Sequence, residues 1–334
     1  MTQSLQHLWQ RGAAFLGCEH AIMGGAMSWV SERNLVSALS NAGAFGVIAA
    51  SSMPPQLLDA EIQATRALTT LPFGVNLILM HPQLEELVAV CGKNHVSHIV
   101  LAGGIPKKTT IDAIKAFGAK VIAFAPTAVI GKKLIKMGAD ALIIEGMEAG
   151  GHIGPVSTSV LAQEILPEIK EVPVFVAGGI GRGEAIATYL QMGASGVQLG
   201  TRFVCASESI AHDNFKQMFI KSNARDAGVS VQYHPDFPVI PVRAINNKAT
   251  DEFMRFQKET VDKVFSGQLE KAAAQLAIEH FWAGALRKAV INGDVETGSV
   301  MAGQSVGMVQ CIQPAKEIID ELVSQAAQYI ARQH

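Results

Sequence analysis

The sequence predicts a (β/α)8 TIM barrel carrying a small, mainly helical capping domain, and three observations point there. Between residues 20 and 205, eight short apolar runs alternate with amphipathic helical patterns, the mark of repeated βα units and a parallel sheet. The runs are apolar throughout rather than alternating, as expected of strands covered on both faces. One phrase recurs three times at a helix end just before a strand: Phe117-Gly118-Ala119-Lys120, Met137-Gly138-Ala139-Asp140 and Met192-Gly193-Ala194-Ser195. An open doubly wound sheet is the structural alternative.

In chain order, strands are expected at residues 21–24, 46–50, 73–77, 97–101, 120–124, 141–144, 174–177 and 196–199. Between them, residues 32–41, 55–68, 127–137 and 182–192 repeat apolar side chains at helical spacing. Gly43, Gly118, Gly138 and Gly193 stand where a helix would close with a left-handed residue. The rhythm breaks after about Phe203. Residues 222–285 are more polar and carry His234-Pro235, Phe237-Pro238 and Ile240-Pro241, then helical patterns. They read as an inserted capping and substrate segment, with residues 1–221 and 286–334 forming the barrel. A last surface helix is expected at residues 315–332, apolar at Ile318, Ile319, Leu322 and Val323.

Composition narrows the function. The 334 residues are 49% hydrophobic and 17% charged, with a mean hydropathy of +0.25, which excludes disorder. The longest apolar stretches, such as residues 173–180, fall far short of the ~20 needed to span a bilayer. With 27 Lys+Arg against 29 Asp+Glu and 6% aromatics, neither a basic field nor stacking platforms suit nucleic acid. Cys18, Cys91, Cys205 and Cys311 are scattered without a CxxC pair, and the stretch MTQSLQHLWQRG has no apolar core for a signal peptide. A cytoplasmic protein is expected.

In a barrel the chemistry sits in the loops after the strands, and glycines crowd those positions. They occur in Gly24-Gly25-Ala26-Met27, Gly103-Gly104, the loop from Gly146 to Gly154, Gly178-Gly179-Ile180-Gly181 and Gly200-Thr201. The last two loops suit a phosphate, because glycine lets backbone amides come close and Thr201 adds a hydroxyl. Gly179-Ile180-Gly181-Arg182-Gly183 is a poor dinucleotide fingerprint, since its third glycine is misplaced. His152, inside a glycine-rich loop, can act as a base or donate to a developing anion; otherwise it satisfies loop backbone. Glu145 can bond a ribityl hydroxyl or a ring edge, or accept loop amides. Asn76 faces the same mouth or holds its own loop. No metal-ligand spacing, P-loop or Ser-His-Asp order is present.

The phrases Glu145-Gly146-Met147-Glu148-Ala149-Gly150-Gly151-His152, Ala177-Gly178-Gly179-Ile180 and Gly200-Thr201-Arg202-Phe203 resemble the nitronate monooxygenase (2-nitropropane dioxygenase) family of FMN barrels over nearly the whole chain. Glu208-Ser209-Ile210-Ala211-His212, Val242-Arg243-Ala244-Ile245 and Gly298-Ser299-Val300-Met301-Ala302-Gly303-Gln304 most resemble its enoyl-acyl-carrier-protein reductase II branch. The resemblance implies FMN with its phosphate at Gly178, Gly179, Gly200 and Thr201 and its ring over Gly25, Ala26 and Met27, near Asn76. It makes His152 catalytic. On the same motifs, Gly24, Glu145, Gly150, Gly151, Ala177, Met301 and Gln304 are assigned to the cofactor. One departure stands out: where the branch reads Ile-Gln-Gly-Gly-Met, this chain has Met23-Gly24-Gly25-Ala26-Met27, so Gly24 replaces a flavin-facing Gln.

The activity so implied is reduction of an enoyl thioester by NADH or NADPH through FMN. The alternatives are nitronate monooxygenase, NAD(P)H:quinone reductase and a phosphate-ligand barrel without redox chemistry. The partners expected are a small-molecule or acyl-carrier-protein-bound substrate, without nucleic acid or membrane, and a homodimer is compatible.

Overall fold

The computed structural model describes residues 4–237 and 239–333; Pro238 of the Phe237-Pro238 pair lies outside them. The strands, numbered in chain order, are β1 Ile22–Gly24, β2 Val47–Ala49, β3 Gly74–Ile78, β4 His98–Ala102, β5 Lys120–Phe124, β6 Ala141–Glu145, β7 Gly151–His152, β8 Val174–Ala177, β9 Gly196–Leu199, β10 Ala227–Val229 and β11 Val242–Ile245. Eight of them form one parallel sheet in the order β1-β9-β8-β6-β5-β4-β3-β2. The two edges meet just before β2, where Phe45 N–H donates to Ile22 O at 2.9 Å and Gly24 N–H donates to Phe45 O at 2.8 Å. The barrel is thereby closed, and all eight expected strands are in it, displaced by no more than one or two residues at their ends.

The all-apolar runs hide a period of two. His98, Val100 and Ala102 share one face of β4, and Ala141, Ile143 and Glu145 share one face of β6. Val100, Ile122, Ala141, Ile143, Phe175 and Ala177 pack with Met23, Phe45 and Val47 as one cluster inside the barrel. The alternate residues, such as Val75, Ile99, Leu101 and Val121, pack outward against the helices Pro55–Leu68 and Leu84–Lys93. Gly43, Gly118, Gly138 and Gly193 all have φ between +84° and +111°, which explains glycine at these helix-to-strand turns.

A helix at Leu5–Leu16, capped by Ser4, closes the N-terminal end of the barrel. Its periodicity was there to read: Leu5, Trp9, Gly12 and Leu16 are its buried residues. The C-terminal helix Ala315–Ala331 lies against Gly183–Gln191, where Gly183 permits close contact: a Cβ there would come within 2.1 Å of Leu322 O.

Beyond the barrel, β10, β11 and β7 form a three-stranded antiparallel sheet. Two helices, Lys248–Phe265 and Lys271–Asn292, follow it. Phe237, Phe253, Val261, Ile278 and Trp282 give this region its own apolar cluster. This region is therefore mainly helical, and its sheet borrows β7 from the loop that carries His152.

Candidate active site

A cavity of about 290 Å³ opens at the C-terminal ends of the barrel strands. Gly25, Ala26, Met27, Asn76, Glu145, Gly150, Gly151, His152, Ala177, Gly178, Gly179, Gly200, Thr201 and Met301 all line it, although they come from seven separate stretches of chain. Gly24 and Gln304 stand outside its lining. The pleat turns Gly24 outward: a Cβ there would meet Leu39 Cδ1 at 2.4 Å, on the helix Arg33–Asn41. Gln304 lies behind the wall, its N–H donating to Glu148 O at 2.9 Å.

The first wall is the turn after β1. Ser31 Oγ donates to Gly25 O at 2.8 Å and accepts Met27 N–H at 3.0 Å, fixing Gly25-Ala26-Met27 against the cavity. Asn76 Nδ2 donates to Val100 O at 3.2 Å, so this side chain spans β3 and β4.

The second wall is formed by the loops after β8 and β9. Gly178 and Gly179 adopt φ of +96° and +70°. A Cβ at Gly178 would lie 2.9 Å from both Gly146 O and Thr158 Oγ1, so only glycine fits. Among the described residues, no hydrogen bond takes the backbone N–H of Gly178, Gly179, Gly200 or Thr201. Free amides converging from two neighbouring strand ends make an anion cradle. Thr201 Oγ1 accepts Gly303 N–H at 3.0 Å, which leaves its own proton to donate.

The third wall is the loop after β6. Its glycines answer close backbone approach: a Cβ at Gly150 would come within 2.6 Å of Gly303 N. Three groups hold this loop that the sequence reading left without a role. Glu148 Oε2 accepts both the N–H and the hydroxyl of Thr158 at 2.9 Å, and Thr158 Oγ1 stands 3.0 Å from Gly178 O. Arg243, buried in β11, donates through Nε to Met147 O at 3.0 Å and through its other arm to Ala227 O. The resulting β7–β11 pairing sets Gly151 opposite Arg243 and His152 opposite Val242. His152 is thus held by its backbone while its side chain is exposed at the cavity rim.

Ser28, Phe124, Gln198, Leu286 and Ser305 also line the cavity and were not singled out from sequence. Gln198 had a usable signal, standing two residues before Gly200 in a strand of period two. Glu145 ends β6 facing the cavity, and burial pushes its carboxyl up to about 7. The described residues hold no cluster of His, Cys, Asp and Glu able to bind a metal, and no helix long and apolar enough to cross a membrane. The four cysteines are free.

The profile of the nitronate monooxygenase family matches residues 10–94 and 84–325. A (3aS,4S,5R,7aS)-5-hydroxy-7a-methyl-1-oxo-octahydro-1H-indene-4-carboxyl-CoA dehydrogenase of Rhodococcus jostii is 28% identical over 94% of this chain and 95% of its own. A probable nitronate monooxygenase of Staphylococcus aureus strain JH9 is 27% identical over 94% and 96%. Among solved structures, FabK from Thermotoga maritima superposes with a TM-score of 0.87 at 34% identity, covering 97% of each chain. A nitroalkane oxidase from Streptomyces ansochromogenes shares the fold, with a TM-score of 0.79 at 24% identity over 95% and 98%. With a family match over nearly its whole length, a closed parallel barrel and a glycine-walled cavity at the C-terminal ends of its strands, the chain belongs to the nitronate monooxygenase family and is an oxidoreductase.

Proposed function

We propose that the protein is an FMN-dependent reductase of enoyl thioesters that draws electrons from NADH or NADPH. The observation that carries this reading is the cradle of free amides at Gly178, Gly179, Gly200 and Thr201 beside a largely apolar cavity. Such a cavity suits a ligand with one anionic end and a flat, weakly polar body, and FMN has that chemistry. A thioester substrate is supported by two likenesses: FabK at 34% identity, and the Rhodococcus relative named for a carboxyl-CoA.

Gly178, Gly179, Gly200 and Thr201 would hold the phosphate, and Gly25, Ala26, Met27, Asn76, Glu145, Gly150, Gly151, Ala177 and Met301 would surround the rest of the cofactor. When bound, FMN supplies the two-electron exchange between nicotinamide and the enoyl β-carbon. Reduction places a hydride on that carbon and negative charge on the thioester oxygen, and a proton then completes the α-carbon. His152, at the rim, either donates to the charged oxygen or delivers that proton. The Arg243 and Glu148 contacts keep its loop in place while this happens. The chain is expected to work without nucleic acid or membrane, in the cytoplasm, with residues 222–285 capping the barrel.

The visible spectrum of the purified chain, taken anaerobically before and after NADH and then NADPH, tests this directly. A yellow protein bleached by either and recoloured by a crotonyl thioester is expected. A second reading, nitronate oxidation with O2, is favoured by the Staphylococcus relative. A yellow protein indifferent to both nicotinamides but bleached by an alkyl nitronate would put that reading first, and a colourless chain that takes up no FMN would sink both.

A further inference from the structure

Among the described residues, Glu145 and His152 are the titratable ones lining the cavity. They are treated differently. His152 is exposed at the rim, whereas Glu145 is partly buried, on the interior face it shares with Ala141 and Ile143. Among the described residues nothing donates a hydrogen bond to the Glu145 carboxyl, and no cation pairs with it. The charged groups of the elements around it are engaged elsewhere. Lys120 is at the far end of β5, where its ammonium donates to Phe15 O. Glu148 is bonded to Thr158, and Arg243 to the carbonyls of Met147 and Ala227. On β8, Ala177 is the residue opposite Glu145.

An ionised carboxylate has only acceptors to offer and needs donors or water around it. Withdrawn from water without donors, it relieves the cost by taking up a proton. The neutral acid differs chemically, because it carries one O–H donor. We propose that Glu145 serves this site as a neutral carboxylic acid, whose proton forms a hydrogen bond to an oxygen or nitrogen acceptor of the bound cofactor. This rests on the FMN reading and deepens it: cofactor binding becomes coupled to a proton. The desolvation that lifts the carboxyl to about 7 agrees with this state. Only the protonated fraction is competent to bind, so affinity falls about tenfold between pH 6.5 and 8.

The test is release of FMN fluorescence on dilution of the flavin-loaded full chain, followed from pH 6 to 8.5 for the wild type and Glu145→Gln. The phosphate of FMN also titrates, but it is common to the two proteins, as is every group other than residue 145, and cancels in the ratio of their Kd values. The amide of Gln donates without titrating, so the ratio of wild-type to variant Kd should climb about tenfold from pH 6.5 to 8. A ratio that stays constant overturns the proposal and leaves the cofactor reading intact. A chain that holds no FMN at any pH overturns both. The wild type alone gives a second measurement: an infrared difference spectrum at pH 8, with FMN minus without, should gain a protonated-carboxyl band. Absence of that band overturns the proposal whether or not the variant folds.

Discussion

Each end of the barrel has a titratable side chain on its interior face, and the two ends treat it in opposite ways. At the N-terminal end His98 is 3% exposed, with Nε2 2.9 Å from Phe15 O and Nδ1 2.9 Å from Ser97 Oγ. A carbonyl can only accept, so Nε2 carries the proton and Nδ1 accepts from the serine. The rings of Phe15 and Phe45 meet it edge-on at 5.3 and 4.9 Å, and burial pushes it down to about 4, so it stays neutral. At the C-terminal end Glu145 and four backbone amides face a cavity, and among the described residues nothing partners them. One end completes its hydrogen bonds within the chain. The other leaves them open, so the unpaired groups mark where a ligand is required.

The largest effect belongs to the closed end. Phe175 lies inside the barrel, fully buried, with its ring 6.2 Å from Phe15. Phe175→Ala should cost about 3–5 kcal/mol, because a ring-sized hole opens where strands cannot collapse. The denaturant midpoint reads it, and a loss below about 1 kcal/mol would show that this end is not the stabilising one.

The two titratable groups should give opposite pH slopes in the ligand-free protein. The folded state lowers His98 from 6.5 to about 4, so its contribution is complete above pH 6.5 and is lost as pH falls towards 4. That is worth up to about 3 kcal/mol. His98→Gln should flatten the acid limb in urea unfolding between pH 7 and 4.5. For Glu145 the folded state raises the value from 4.5 to about 7, so its contribution is complete below pH 4.5 and is lost as pH rises through 7. Glu145→Gln should therefore unfold less readily than wild type at pH 8, by up to about 3 kcal/mol, and no differently at pH 4. Equal slopes in wild type and variant would erase the contrast between the two ends.

His152→Ala separates chemistry from folding. The side chain is exposed, so the melting temperature should move little while turnover drops about 10²-fold with FMN retained. Unchanged turnover would leave His152 as a loop residue only.

The barrel was legible because its signals are local. Each strand is a run of apolar residues, and each turn glycine sits where φ is positive. The cavity glycines were legible for the same reason, since barrel topology alone carries strand ends to one mouth. The rest depends on partners distant in sequence. Gly151-His152 pairs with Val242-Arg243 some ninety residues later, and no periodicity in a two-residue strand announces it. The bond from Thr158 to Glu148 spans ten residues across the loop, and no local pattern in the sequence announces it. The outward turn of Gly24 follows from strand phase: Met23 packs inside the barrel, so its neighbour cannot.

The smallest effect distinguishes two glycines that look alike in sequence and in backbone. Gly118 has φ of +85° and Gly178 of +96°. At Gly118 a Cβ would meet nothing within 4 Å, so Gly118→Ala should cost only the left-handed strain, about 1 kcal/mol, without touching cofactor affinity. At Gly178 the added Cβ would press on Gly146 O and Thr158 Oγ1, and relief comes by moving the cradle itself. Gly178→Ala should therefore weaken FMN by about tenfold, some 1.4 kcal/mol, beyond any loss of stability. Kd and unfolding midpoint measured on both variants decide the matter. If the two alanines behave alike, the glycines after β8 are turn-formers like those before the strands, and the open end of the barrel loses its claim to hold the phosphate there.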